Sequence, residues 1–172
     1  ILGSAFRTTD SRKPDLHRYL ALQPDGWLVA AVDGKLVGTV GAVDFGAFAY
    51  IGLMAVEPTQ QRQGIARALM QNLLAWIEKR GCPVSLLDAS PYGAPLYAQL
   101  GFVPEEPTLV FQREKPTRFP ELSARVRHIT QEDIPSLVAF DTPIFGASRA
   151  NVFNLYLADF PDRAFLARDE HG

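Results

Sequence analysis

The chain changes its hydrophobic rhythm near residue 57. An apolar run, Ile51 to Val56, stops at Glu57-Pro58, and a short polar loop leads to Gly64. Apolar residues then recur as Ile65, Leu69, Leu73 and Ile77, and as Ala66, Met70 and Leu74. Arg67, Gln71 and Glu78 fall on the other side. This is the period of a helix that packs one face on a sheet. Gly81 and Pro83 supply its stop signals.

The flanking segments carry strand and turn signals. A helix is predicted around Pro14 to Leu22, then a turn at Gln23-Pro24-Asp25-Gly26. Trp27 to Val32 and Lys35 to Asp44 read as strands joined by the hairpin signal Asp33-Gly34. After a turn at Gly46-Ala47, Phe48 to Val56 makes the third strand of a meander. Downstream, residues 84–89 read as a buried strand, Ser90-Pro91-Tyr92-Gly93 as a turn and residues 94–100 as a short helix. Pro95 suits the first turn of that helix. Pro104 to Pro107 form an exposed loop, and residues 108–113 are expected to be a further strand.

A glycine therefore sits where a strand turns into a helix N-terminus. Such a terminus presents unpaired backbone N–H groups and a partial positive charge. Gly64 lets a ligand approach the backbone, and Ala66 is small enough to do the same. The physical reading is a phosphate or pyrophosphate site, against a plain strand-to-helix turn. No G-x-x-x-x-G-K-[ST] string occurs, and Gly64 lacks the companions of a dinucleotide fingerprint.

Gln61-x-x-Gly64-x-Ala66 resembles the Q/R-x-x-G-x-G/A signature of the GCN5-related N-acetyltransferases, the GNAT superfamily. Leu96-Tyr97-Ala98-Gln99-Leu100-Gly101-Phe102 is similar to that family's second hallmark, L-Y-x-x-L-G-F. The resemblance implies an α/β fold in which a mixed, mostly antiparallel central sheet is flanked by helices. It implies acetyl-CoA as cofactor, held at its pyrophosphate by Gln61, Arg62, Gln63, Gly64, Ile65, Ala66 and Arg67. Met54, Ala55 and Val56 would pair with the pantetheine arm. Tyr97 would lie near the sulfur and act as general acid for the departing thiolate. Many members carry an asparagine before that helix; here Asp88, Ser90 and Tyr92 stand instead, and Ser90 is the candidate replacement contact.

The general base is less legible, because residues 48–56 contain no acidic side chain. Asp44 is the nearest candidate and Asp88 another, with Glu57 behind them and a water relay as the default. Trp27, Phe45, Phe48 and Tyr50 either line an apolar acceptor pocket or belong to the core. The expected reaction is direct transfer of an acetyl group to a primary amine on a small molecule or peptide. A non-catalytic acyl-CoA-binding or regulatory module is the alternative, and an enzyme for another acyl chain would keep the same residues.

Composition narrows the partners. The chain has 172 residues, is 47% hydrophobic and carries a net charge of −2. That length supports a real core. No basic stripe points to nucleic acid. No apolar run approaches the roughly 18 residues of a membrane helix, and no signal-peptide pattern is present. The single cysteine, Cys82, reads as structural and suggests a reducing compartment, hence the cytoplasm. The three histidines, His17, His128 and His171, have no metal-site spacing, so no metal is expected.

An internal repeat shapes the domain reading. At an offset of 137 residues Tyr19, Leu20 and Ala21 match Tyr156, Leu157 and Ala158, and Pro24-Asp25 matches Pro161-Asp162. Each copy reads as helix, Pro-Asp turn, strand. Ahead of the second copy, a strand at residues 125–129 leads through Thr130 as N-cap, with Asp133 in the first turn. The expected organisation is a GNAT domain lacking its first strand at residues 1–113, a linker at 114–120 and the opening of a second repeat at 121–172. Strand 125–129 would alternatively fill the vacant edge of the first sheet, or that of a neighbouring chain in a homodimer.

Overall fold

The computed structural model describes residues 2, 13–109, 111 and 125–167. The chain divides into two compact units, Ile1–Pro104 and Glu105–Gly172. The first contains α1 (Lys13–Leu22), β1 (Trp27–Val32), β2 (Lys35–Asp44), β3 (Ala49–Val56), α2 (Ile65–Lys79), β4 (Ser85–Leu87) and α3 (Ala94–Gln99). Its four strands form one sheet in the order β1-β2-β3-β4. The first two pairings are antiparallel and the last is parallel. The sequence-predicted helix and strands of this region are present within a residue or two at each end.

Strand alternation decides what each face meets. Val40, Ala42, Ile51 and Val56 pack with Leu69, Met70, Leu73 and Ile77 of α2. Met70 and Leu73 are fully buried, and each such side chain contributes roughly 1.5–3 kcal/mol by leaving water. Gly38 faces α2 as well, because a Cβ there would lie 3.0 Å from Leu69. The other face belongs to the residues in between. Gly41 pairs with Trp27, and a Cβ on Gly41 would fall 1.9 Å from the indole. The Trp27 ring therefore lies flat across that glycine. Tyr19 of α1 meets Trp27 with ring centroids 5.1 Å apart, and its carbonyl accepts the indole N–H at 3.2 Å. Thus α1 covers the face that α2 does not.

One irregularity sets up the site. Pairing runs from Thr39–Ala55 to Gly41–Gly52, which leaves an extra residue on β3. This is a β-bulge, and Leu53 occupies it with φ of 51°. The β3–β4 ladder covers Ala49–Ser85, Tyr50–Leu86 and Ile51–Leu87 and then ends. Beyond Ile51, β3 has no described β4 partner.

The strand expected at residues 108–113 does not form where it is described. Thr108, Leu109 and Phe111 are outside any strand, and residues 110, 112 and 113 fall outside the described residues. Leu109 and Phe111 are 72% and 89% exposed, so no packed layer rewards an extended ladder there. The expected linker 114–120 also falls outside the described residues.

The second unit contains β5 (Val126–His128), a 3-10 turn (Gln131–Asp133), α4 (Ile134–Phe145), α5 (Ala150–Asp159) and β6 (Phe165–Ala167). Thr130 and Asp133 form a reciprocal capping box. Arg127 grips the same carboxylate through two hydrogen bonds of 2.7 and 2.6 Å. These bonds, followed by the Thr130 N–H, hold Asp133 well below the usual carboxylate range. β5 pairs antiparallel with β6, from Val126–Ala167 to His128–Phe165.

Candidate active site

The site begins where β3 and β4 part. A 3-10 turn at Pro58–Gln60 follows β3, anchored by the Glu57 N–H donating to Val37 at 2.8 Å. The Gln61 side-chain amide donates to the Val56 carbonyl at 3.0 Å and folds the loop onto the strand end. Arg62 and Gly64 both adopt positive φ, 60° and 82°. Positive φ at these two positions turns the chain sharply before α2 begins. The first helical N–H with a described acceptor is that of Ala68, which donates to Gly64 at 3.0 Å. Among the described residues, the N–H groups of Arg62, Gln63, Gly64, Ile65, Ala66 and Arg67 have no acceptor. A Cβ on Gly64 would meet nothing within 4 Å, so open space adjoins these donors. The donor set fits a pyrophosphate in chemistry and in access.

The second half of the site is α3. Ser90 closes the preceding turn, its hydroxyl and carbonyl accepting the Gly93 N–H at 3.2 and 3.0 Å. At the far end, the Gly101 N–H donates to Ala98 and the Phe102 N–H to Tyr97, with Gly101 at φ of 90°. That is a complete Schellman stop, and it returns Phe102 edge-on to Tyr97 with ring centroids 6.0 Å apart. The L-Y-x-x-L-G-F string thus has a structural meaning: its glycine and phenylalanine fix the tyrosine. The Tyr97 ring is buried in the α2-side core, and burial raises its pKa. Its hydroxyl has no described hydrogen-bond partner, yet no described buried side-chain oxygen or nitrogen is left unsatisfied. The hydroxyl therefore reaches solvent-accessible space. The Arg67 guanidinium donates to Gln99 and ties α2 to α3.

The remaining sequence candidates fall elsewhere. Met54, Ala55 and Val56 form the β3 segment that β4 leaves uncovered. Asp44 lies at the opposite end of the meander, paired with Ala49. Its carboxylate accepts from Arg80 Nε and from the Gly46 N–H, both at 2.7 Å. Burial pushes this carboxyl up, but the Arg80 and Gly46 bonds and the Arg80 charge bring it below its ordinary value. A carboxylate so engaged is a poor proton acceptor, and the structure does not bring Asp44 together with Tyr97. The Ser90 hydroxyl is occupied in its turn.

Sequence reasoning placed Tyr50 only in an apolar lining and Asp88 only behind Asp44. The structure joins them: the Tyr50 hydroxyl donates to Asp88 Oδ2 where the β3–β4 ladder ends. The Tyr50 pKa is pushed up to about 12, by burial first and then by the Asp88 bond and charge. Alternation held the signal, since Tyr50 breaks an otherwise apolar strand and is exposed between buried Ala49 and Ile51. Among the described residues, no cluster of His, Cys, Asp and Glu suits a metal ion, and no helix is long and apolar enough to cross a membrane.

The first unit thus combines a loop of free amides at a helix start, a strand pair that parts and a tyrosine on a short capped helix. A family model described as the acetyltransferase (GNAT) family matches residues 2–102, and the chain belongs to this family. The uncharacterised N-acetyltransferase YitH of Bacillus subtilis is 25% identical over 142 residues, 82% of this chain and 49% of that protein. An acetyltransferase of Pectobacterium atrosepticum is 42% identical over 81 residues, 45% of this chain and 55% of that protein. Among solved structures, a proposed acetyltransferase of Pyrococcus horikoshii aligns with a TM-score of 0.77 and 28% identity, covering 92% of this chain and 56% of that one. The chain spans about half the length of these relatives.

Proposed function

We propose that the first unit is an N-acetyltransferase that uses acetyl-CoA as donor and a primary amine as acceptor, by direct attack. The run of acceptor-free amides from Arg62 to Arg67 beside open Gly64 carries this reading. A run of acceptor-free amides at a helix N-terminus suits the two charged groups of a pyrophosphate. The donor molecule supplies its acyl group as a thioester. Met54 to Val56 offer it a strand edge, in the manner of an added strand. Tyr97 would protonate the departing thiolate, a role supported by its buried ring and accessible hydroxyl. Burial raises the Tyr97 pKa, so the phenol holds its proton at neutral pH.

The test is calorimetric binding of acetyl-CoA, followed by amine-dependent release of thiol. Saturable binding with thiol release supports the reading. Absence of binding overturns it, and binding without turnover on any amine favours a CoA-binding module instead.

The second unit is read as the opening of another repeat. Its α5 and β6 reproduce α1 and β1 at the 137-residue offset seen in the sequence. An experimental structure of the full-length gene product tests this. A second copy of β2 and β3 after β6 is expected, and any other fold there overturns it.

A further inference from the structure

The gap between β3 and β4 has two sides, and only one holds Tyr97. Tyr97 belongs to the core on the α2 face, together with Ile51. Tyr50 alternates with Ile51, so it projects on the α1 face. Leu86 pairs with Tyr50, and Asp88 follows two residues later on the same side. The hydrogen bond from Tyr50 to Asp88 ties β3 to the residue that follows the last rung, Ile51–Leu87. Gly52 is the next residue of β3 on this face, and a Cβ there would meet nothing within 4 Å. Across the ladder Gly52 pairs with Gly41, which the Trp27 indole covers. Beside the carboxylate there is thus an open glycine floor, bounded along the strand by Tyr50 and across it by Trp27. A carboxylate next to aromatic walls is the chemistry that receives an organic ammonium.

We infer that Asp88, oriented by the Tyr50 hydroxyl, receives the ammonium of the amine acceptor on the α1 face of the gap and takes its proton. The inference rests on the N-acetyltransferase reading and assigns that reaction its second half. An ammonium has no lone pair to attack with. Transfer of one proton to the Asp88 carboxylate leaves a neutral amine at the mouth of the gap. Its nitrogen forms the C–N bond to the thioester carbon as the C–S bond breaks. The thiolate takes the Tyr97 proton, and the tyrosinate regains one from the nitrogen's second proton through water. Asp88 returns its own proton to solvent. Two groups on opposite faces of one sheet would then handle the two proton transfers, so neither has to change role within a turnover. Tyr50 is a positioning residue: it holds the carboxylate and does not exchange a proton itself.

The test uses the intact chain and three probe amines, phenethylamine, spermidine and kanamycin. Each is titrated calorimetrically into the protein with and without CoA, and assayed for thiol release from acetyl-CoA. Asp88→Asn is expected to lower kcat/KM for the accepted amine about 100-fold, with CoA affinity unchanged. Asp88→Glu should recover part of the loss. Tyr50→Phe is expected to raise the amine KM several-fold and leave kcat within about threefold. Wild-type kcat/KM in Asp88→Asn overturns the inference, as does failure of every probe to bind a wild type that binds CoA. Loss of CoA binding in the wild type would instead overturn the donor reading, and amine binding to the unloaded protein then decides Asp88 separately: weaker binding in Asp88→Asn supports it, equal binding overturns it.

Discussion

Gly93 lies directly beneath the phenol of Tyr97. A Cβ at Gly93 would stand 2.9 Å from the ring and 3.3 Å from its hydroxyl oxygen. Gly93 has φ of −84°, so backbone freedom is not why the position is glycine. The reason is space. Gly93→Ala must displace a ring that Phe102 already contacts edge-on. Thiol release should fall by about tenfold or more, approaching the loss in Tyr97→Phe, which is expected to be about 100-fold in kcat. The KM for acetyl-CoA should change little in either variant, because neither touches the amides of Arg62 to Arg67. Steady-state kinetics with both substrates varied checks this, and an unchanged kcat in Tyr97→Phe would remove Tyr97 from proton transfer.

Gly64 makes a different prediction, because its backbone is left-handed at φ of 82° and its Cβ space is empty. Gly64→Ala introduces strain of about 1 kcal/mol without any clash. Relief of that strain would rotate the amide and disturb the donor set. Melting should show a small loss of stability, and CoA affinity should fall by about tenfold. Calorimetry reporting a wild-type affinity would mean that the loop amides do not hold the pyrophosphate.

Leu53 is a non-glycine residue at φ of 51° in the bulge that precedes the free segment of β3. A β-branched side chain tolerates that region worse than leucine does. Leu53→Val should cost about 1–3 kcal/mol, or else flatten the bulge and let β3 realign with its neighbours. Denaturant melts and CoA titration separate the two cases. Lost stability with retained affinity indicates strain, and retained stability with lost affinity indicates a closed gap.

Asp44 and Arg80 give a pH dependence of stability. The folded carboxyl has its pKa lowered by Arg80 and Gly46 in excess of what burial adds. A lowered folded value means stability is present above the ordinary carboxylate range and drains away as pH falls through the folded value. Arg80 is partly exposed, so solvent screening keeps the contribution of the pair small. Arg80→Ala should therefore narrow the gap in Tm between pH 7 and about pH 2, with little effect on amine turnover. A large loss of turnover with intact CoA binding would restore Asp44 as a candidate base.

The order of elements was legible because each carries its own local signal. The 3.6-residue period marks α2, and Asp33-Gly34 takes two positive φ values, 49° and 74°, as a tight hairpin requires. The loop before α2 was legible for the same reason, since Gly64 marks it in the sequence and takes a positive φ in the fold. Thr108, Leu109 and Phe111 misled, because β-prone side chains do not form a strand without a layer to bury them.

The sequence by itself determined the elements, the free amides at the start of α2 and the family, all of which depend on neighbours a few residues apart. Only the tertiary structure decided which carboxylate stands at the gap. Asp44 is close to β3 in sequence, but its register ties it to Arg80 at the far end of the meander. Asp88 is 38 residues from Tyr50, and the parallel β3–β4 ladder brings the two together on one face. A parallel pairing has no turn to announce it, so its register becomes visible only once the crossover helix α2 has packed.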